Sequence, residues 1–179
     1  MRRAAAIFAI IIYSSTVCFA WEEPTGLKEY KFGMTEAEVD AIWRGKGSRY
    51  GYSIPTSEEE IGGIVVRLNF GYEKTASGER LGKISFVFPR RYSSTYASIK
   101  GVFVERYGQP HSRQLANYGN SFGAKFKGEI LEWRGARTTI RIDEIASAEY
   151  GSVVISTLSW QKQAARETSE RIKKAAKDL

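Results

Sequence analysis

The stretch FGMTEAEVDAIW (Phe32–Trp43) decides how this chain is read, because it opens the folded part of the sequence with a complete helix signature. Thr35 stands where an N-cap belongs, and Glu38 three residues on completes a capping box. Met34 and Val39 take the two ends of a hydrophobic staple. Val39, Ile42 and Trp43 then share one face at helical spacing, and Gly45 and Gly47 stop the run. The spacing predicts a short amphipathic helix over Thr35–Arg44. Folding alone explains every residue in it, so the stretch specifies architecture rather than chemistry.

Beyond this helix the chain alternates with period two. Ile64, Val66, Leu68, Phe70 and Tyr72 share one face of a strand, while Val65, Arg67 and Asn69 take the other. TASGER (Thr75–Arg80) reads as a turn. LGKISFVFP (Leu81–Pro89) is the next strand, with Ile84, Phe86 and Phe88 on one face and Lys83, Ser85 and Val87 on the other. The short connection predicts an antiparallel hairpin. The segment before it, RYGYSIPTSEEEIGG (Arg49–Gly63), reads as a solvated loop around Pro55, with Glu58, Glu59 and Glu60 in water and a short extra strand possible at GYSI.

A second helix then repeats the first. In RRYSSTYASIKGVFVERYGQP (Arg90–Pro110), Ser93 or Ser94 is placed to cap. Tyr96, Ile99, Val102, Phe103 and Tyr107 make one face, and Gly108 with Pro110 ends the helix. HSRQLANYGNSFG (His111–Gly123) reads as a longer loop. AKFKGEILEWRG, RTTIRID and SVVISTLSW are three further strands. The triplet RYG closes both helical parts, at Arg49–Gly51 and Arg106–Gly108, about 57 residues apart. The shared order of elements is the mark of a degenerate internal repeat. The fold class expected is α+β: tandem helix-plus-antiparallel β-meander modules, about 30–90 and 91–160, forming one sheet in a single domain (21–160) with helices packed on one face. QKQAARETSERIKKAAKDL (161–179) is expected to add a C-terminal basic helix. Its apolar stripe is thin (Ala165, Thr168, Ile172, Ala175, Leu179), and Glu167–Arg171 and Glu170–Lys174 are spaced to pair.

The ends bear on compartment. MRRAAAIFAIIIYSSTVCFA has a positive start, a short apolar run and small residues before Trp21, the order of a secretory signal peptide over residues 1–20. Ala4–Ile12 falls short of the roughly 20 apolar residues that span a bilayer, so no stable membrane span is expected. Val17 and Ser15 depart from a lipobox, so lipid anchoring at Cys18 is not expected. Loss of Arg2 and Arg3 leaves 25 basic against 20 acidic side chains, a charge of about +5. Cys18 is the only cysteine, so the exported chain has no disulfide and no thiolate ligand or nucleophile. A chain of this size buries roughly 68–70% of its unfolded surface and needs no covalent staple. The expected location is the periplasm.

Gly33-Met34-Thr35 with Val39, followed by a helix and a β-meander, resembles the superfamily of small exported bacterial proteins that includes the β-lactamase inhibitor protein and the small protein A lipoproteins of outer-membrane assembly. The helix ending YGQP (Tyr107–Pro110) is similar to the Leu-Gly-x-Pro that closes the helical part there. The resemblance implies a non-enzymatic exported protein that binds other proteins or the cell envelope through a sheet face.

No catalytic motif emerges. His111 is the only histidine, which excludes a multi-histidine metal site, and it follows Pro110 in a turn. GERLGKI (Gly78–Ile84) has the wrong glycine spacing for a phosphate loop and lacks the Ser or Thr after Lys83. KISFVF lacks the glycines of an RNA-binding strand, so no nucleic acid is expected. No metal and no cofactor are expected. What remains is a surface: with helices on one side of the sheet, Arg67, Asn69, Lys83, Ser85, Thr139 and Arg141 share the other. They form a polar, basic face suited to an acidic protein partner or a cell-envelope component. Two alternatives stand beside it. One is envelope scaffolding, with the C-terminal helix on anionic lipid. The other is a hydrolase built on carboxylates such as Glu129, Glu132 or Asp143 beside Arg141.

Overall fold

The computed structural model describes residues 21–45, 57–89, 93–119, 123, 125–145 and 149–177. The expected leader (1–20) and the possible strand at GYSI (51–54) lie outside the described residues. The chain enters through a small hairpin, β1 (Gly26–Leu27) and β2 (Tyr30–Lys31), which turns on Lys28 at φ 53°. Tyr30 is fully buried and sits 4.7 Å from the Phe70 ring. Glu23, just before the hairpin, accepts the backbone N–H groups of Ala136 (2.6 Å), Arg137 (2.9 Å) and Thr138 (3.0 Å). Loss of surrounding water raises its pKa, but those N–H groups lower it further, and the carboxyl ends below its ordinary range.

The opening helix forms as its sequence dictates. α1 (Glu36–Gly45) starts at a closed capping box: Glu38 Oε2 accepts the Thr35 N–H at 2.7 Å, and Thr35 Oγ1 accepts the Glu38 N–H at 3.3 Å. Its docking point is made by main chain. Gly33 at φ 90° donates to the Leu81 carbonyl (2.9 Å), and the Leu81 N–H returns the bond to Met34 O (2.7 Å). Val39 is buried and Met34 lies against the core.

After α1 come β3 (Ser57–Ile61), β4 (Ile64–Thr75) and β5 (Gly78–Pro89). Then come α2 (Ser93–Tyr107), β6 (Ser112–Gly119), β7 (Lys125–Arg134), β8 (Thr138–Asp143), β9 (Tyr150–Thr157) and α3 (Leu158–Ala175). The seven long strands form one antiparallel sheet in the order β3-β4-β5-β9-β8-β7-β6. Each helix-plus-meander unit is therefore contiguous, and β5 against β9 is the seam between them. The core lies under α1 and α2, where Ile84, Phe86 and Phe88 of the first unit meet Ile140, Ile142, Val153 and Ile155 of the second beneath Ile99 and Phe103. Trp133 is fully buried and donates its indole N–H to the Gly108 carbonyl (2.9 Å), tying the α2 stop to β7.

Four expectations change. Ser57–Ile61 is a strand rather than a loop, and Glu59 is buried against Lys28 (2.8 Å) instead of solvated. Ser112–Gly119 is likewise a strand rather than a loop. Both end the sheet, and an edge strand half-open to water carries no apolar alternation to read. SVVISTLSW splits at Thr157, whose hydroxyl accepts the Trp160 N–H (3.1 Å) and caps α3 three residues before the expected start. Along α3, Glu167 takes its bond from Gln163 (2.9 Å) and Arg171 reaches Thr168, so the expected Glu167–Arg171 pair does not form. The β4–β5 turn matches the hairpin expectation. A bulge inserts Gly82, which resets the alternation and brings Leu81 to the core face with Ile84.

The cap is testable by itself. Thr35→Ala removes both side-chain bonds that Thr35 makes to Glu38, and urea unfolding should report a loss of about 1 kcal/mol. An unchanged midpoint would mean that the Gly33–Met34 ladder to Leu81 alone sets the helix start.

Candidate functional site

The face opposite α1 and α2 is built by strand register. Asn69 opposes Ser85, Ser85 opposes Val154, Val154 opposes Arg141, and Arg141 opposes Glu132, so one row crosses five strands. The next row holds Lys83, Ser156 and Thr139. Arg67 lies on the same face beside Glu58 of β3. All six residues named from sequence therefore share one face.

The structure does not leave them as a bare basic array. Arg141 forms a two-pronged pair with Asp143 (2.8 Å to each carboxylate oxygen) and reaches Glu132 at 3.0 Å. Glu132 also holds Arg134 at 2.9 Å. Arg67 meets Glu58 at 3.4 Å. Like charges on adjacent strands are thus answered by carboxylates, and the face is charge-paired rather than basic. Each exposed pair contributes about 0.2–1 kcal/mol at most, so this pairing shapes recognition more than stability.

The second departure is α3, which crosses onto this face. Trp160 lies over Gly71 and Gly82 and stacks its ring 4.9 Å from the Lys83 ammonium. A Cβ on Gly82 would come within 2.8 Å of the Trp160 Cβ, so the glycine keeps the seat open. Gln161 bonds Thr139 (2.5 Å) and Ser156 (2.9 Å), and Gln163 accepts the Lys74 N–H (2.9 Å). Lys83 and Thr139 therefore lie beneath the first turns of a helix, and burial lowers the Lys83 pKa. Arg67, Asn69, Ser85 and Arg141 stay outside that footprint. A cleft of about 340 Å³ remains between Leu158 and Gln161 of α3 and Arg134, Arg141 and Glu132 of the sheet. The sequence signal for this docking was Trp160 followed by Gln161, two large side chains at what reads as a strand end.

The carboxylates proposed for hydrolysis separate. Glu132 and Asp143 meet on Arg141, but Glu129 lies on the other face, under α2. There it is 4% exposed and accepts bonds from Lys100 (2.7 Å) and the Tyr96 hydroxyl, with Arg113 also ion-paired to it. Burial alone would raise its pKa; Lys100, Tyr96 and Arg113 outweigh that and hold it below the ordinary glutamate range. Tyr96 moves the opposite way, raised by burial and by the Glu129 carboxylate. This cluster fastens α2 to the β6–β7 end of the sheet. His111 accepts the Arg134 N–H on Nδ1 (2.8 Å) beneath the edge of Trp21, which is a turn-holding role. Among the described residues no three His, Cys, Asp or Glu side chains gather as a metal site would need.

Compared with known proteins, the chain matches no family model, and neither a curated protein nor a solved structure matches it.

The geometry sets two expected outcomes. Glu129→Gln should lower stability at neutral pH by on the order of 2 kcal/mol, since it leaves two cations short of a partner. Because the folded carboxyl is depressed, its contribution is present above the unfolded value of about 4.3 and is lost as pH falls through the folded value. The gap between wild type and Glu129→Gln should therefore close in acid, as read by denaturant titration. Trp160→Ala should return the Lys83 pKa upward, as read by NMR titration, and loosen α3, as read by hydrogen exchange. A Lys83 that does not move would mean that the indole is not what buries it.

Proposed function

We propose that the chain is an exported, non-catalytic binding protein that takes a protein partner on the part of the open sheet face beyond α3. The observation that carries this reading is an exposed apolar strip on that face: Val65 (67% exposed), Val87 (47%) and Tyr150 (43%). Val87 stands four residues along β5 from Lys83, roughly 13 Å at strand rise, so it is clear of the Trp160 seat. The charge pairs Arg67–Glu58 and Arg141–Asp143 flank it, and Asn69 and Ser85 offer neutral hydrogen bonds. An apolar centre with a polar, charge-paired rim is the anatomy of a protein contact surface. The leader read at residues 1–20 supports export. The resemblance carried by Gly33–Val39 and Tyr107–Pro110 supports a sheet-face binder of the cell envelope.

One observation favours a second reading. Beyond Ala164 α3 is exposed along most of its length, and Ile172 (64% exposed) lies among Arg171, Lys173 and Lys174. That is the composition of a weak contact with anionic lipid. Among the described residues no helix is long and apolar enough to cross a membrane.

The two readings separate in one pair of assays. The purified protein is used as bait on an envelope extract, beside Val65→Asp/Val87→Asp and Arg67→Glu/Arg141→Glu variants of unchanged circular dichroism. Stoichiometric capture that the Asp variant loses supports the face, whereas identical capture by all three forms overturns it. Flotation with vesicles containing phosphatidylglycerol that depends on residues 165–179 favours the lipid reading instead.

A further inference from the structure

We propose that β6 is a docking edge for an extended acidic segment of another protein, which joins the sheet as an added strand. This surface is distinct from the open face. Among the described residues β6 ends the sheet and pairs with β7 alone, over eight consecutive residues with no bulge. A strand in that position points alternate N–H and C=O groups outward, a ready template for another chain.

The two ends of the sheet are treated differently. β3, at the far end, is five residues long and carries Glu58, Glu59 and Glu60, with Glu59 tied to Lys28 of the β1–β2 hairpin. A short, charged edge of this kind repels further pairing. β6 has none of these guards: no proline, no acidic residue and no lysine. Its one charge, Arg113, is already paired with Glu129. Leu115 stands near the middle at 67% exposure. An edge left this long and this neutral is an aggregation hazard unless something pairs with it.

The surrounding charge selects the occupant. Lys127 and Lys125 of β7 are exposed, opposite Asn117 and Gly119 of β6. These two lysines flank the edge with positive charge, while Arg113 is answered by Glu129. A second copy presenting its own β6 would bring these cations together, whereas an acidic strand would answer them.

The test uses the purified protein and a labelled eight-residue peptide of alternating Val and Glu, with the same peptide carrying Lys in place of Glu as control. The acidic peptide should give saturable anisotropy and slow hydrogen exchange at alternate amides of residues 113–118. The Lys peptide, or a Lys125→Glu/Lys127→Glu protein with the acidic peptide, should bind at least about ten-fold more weakly. Leu115→Pro and Ala116→Pro are made separately, because only the one that removes an outward N–H should fold as an edge strand tolerates. That folded variant should lose the peptide; if neither folds, exchange at residues 113–118 decides. Absence of binding by about 1 mM, equal binding of both peptides, or protection at β3 would overturn the proposal. So would self-association of the protein that excludes the peptide, which would make a second copy the occupant. The Val65→Asp/Val87→Asp protein should keep the peptide, which separates failure of this edge from failure of the open face.

Discussion

The ladder between β5 and β9 is the constraint on which the rest of the structure depends. It is the only place where the two helix-plus-meander units pair strand to strand among the described residues, and its central partners Phe86 and Val153 are 67 residues apart in sequence. The same seven pairs set both faces at once. Ile84, Phe86 and Phe88 meet Ile155, Val153 and Gly151 below, while Lys83, Ser85 and Val87 meet Ser156, Val154 and Ser152 above. Since side chains alternate with period two, a slip of one residue in this ladder would send the core to water and the polar row into the core. Burial under α1 and α2 therefore fixes the composition of the open face, although no open-face residue contributes to that burial.

The same period explains what could be seen in the sequence. β4, β5, β7, β8 and β9 each bury one face, so their apolar residues alternate visibly, and α1 announces itself with its capping box and α2 with its stop at Gly108. β6 buries little, and of the two residues that β3 buries, Glu59 and Ile61, only one is apolar. SEEEI and SRQLANYG carry no pattern because an edge strand is specified by its neighbour's backbone rather than by its own side chains. The six candidate face residues were legible because their alternation partners are core residues. Their surroundings were not. Asp143 follows Arg141 by two residues on β8 and shares its face by simple alternation, but Glu58 and Glu132 come to Arg67 and Arg141 through register between strands, which no local pattern prints. The seat of Trp160 was hidden for a further reason. It needs Gly71, and Gly82 inserted by a bulge, to lie under a helix that starts inside an apparent strand.

Charge is distributed by cost. Glu129, buried under α2, is surrounded by Lys100, Tyr96 and Arg113, because an unpaired charge there would cost several kcal/mol. On the open face the arginines keep their carboxylates at the surface, where each pair contributes little to stability but removes the repulsion that stacked cations would impose. A charge-paired face of this kind is neutral at long range and specific at short range. It would not draw an acidic partner from a distance, but it would penalise any partner that failed to replace the bonds of Arg141.

The sheet ends obey the opposite logic. Among the described residues acidic side chains concentrate on β3, and exposed lysines lie beside β6, so the sheet carries a negative edge and a positive edge across seven strands. A seven-stranded antiparallel sheet with two unguarded ends would extend by pairing with itself; the three glutamates of β3 block that route at one end only. The remaining open end is neutral along its own backbone and positive at its flank. That combination deters a second β6 and admits an acidic strand, so the charge beside the open edge defines the chemistry of what can join it.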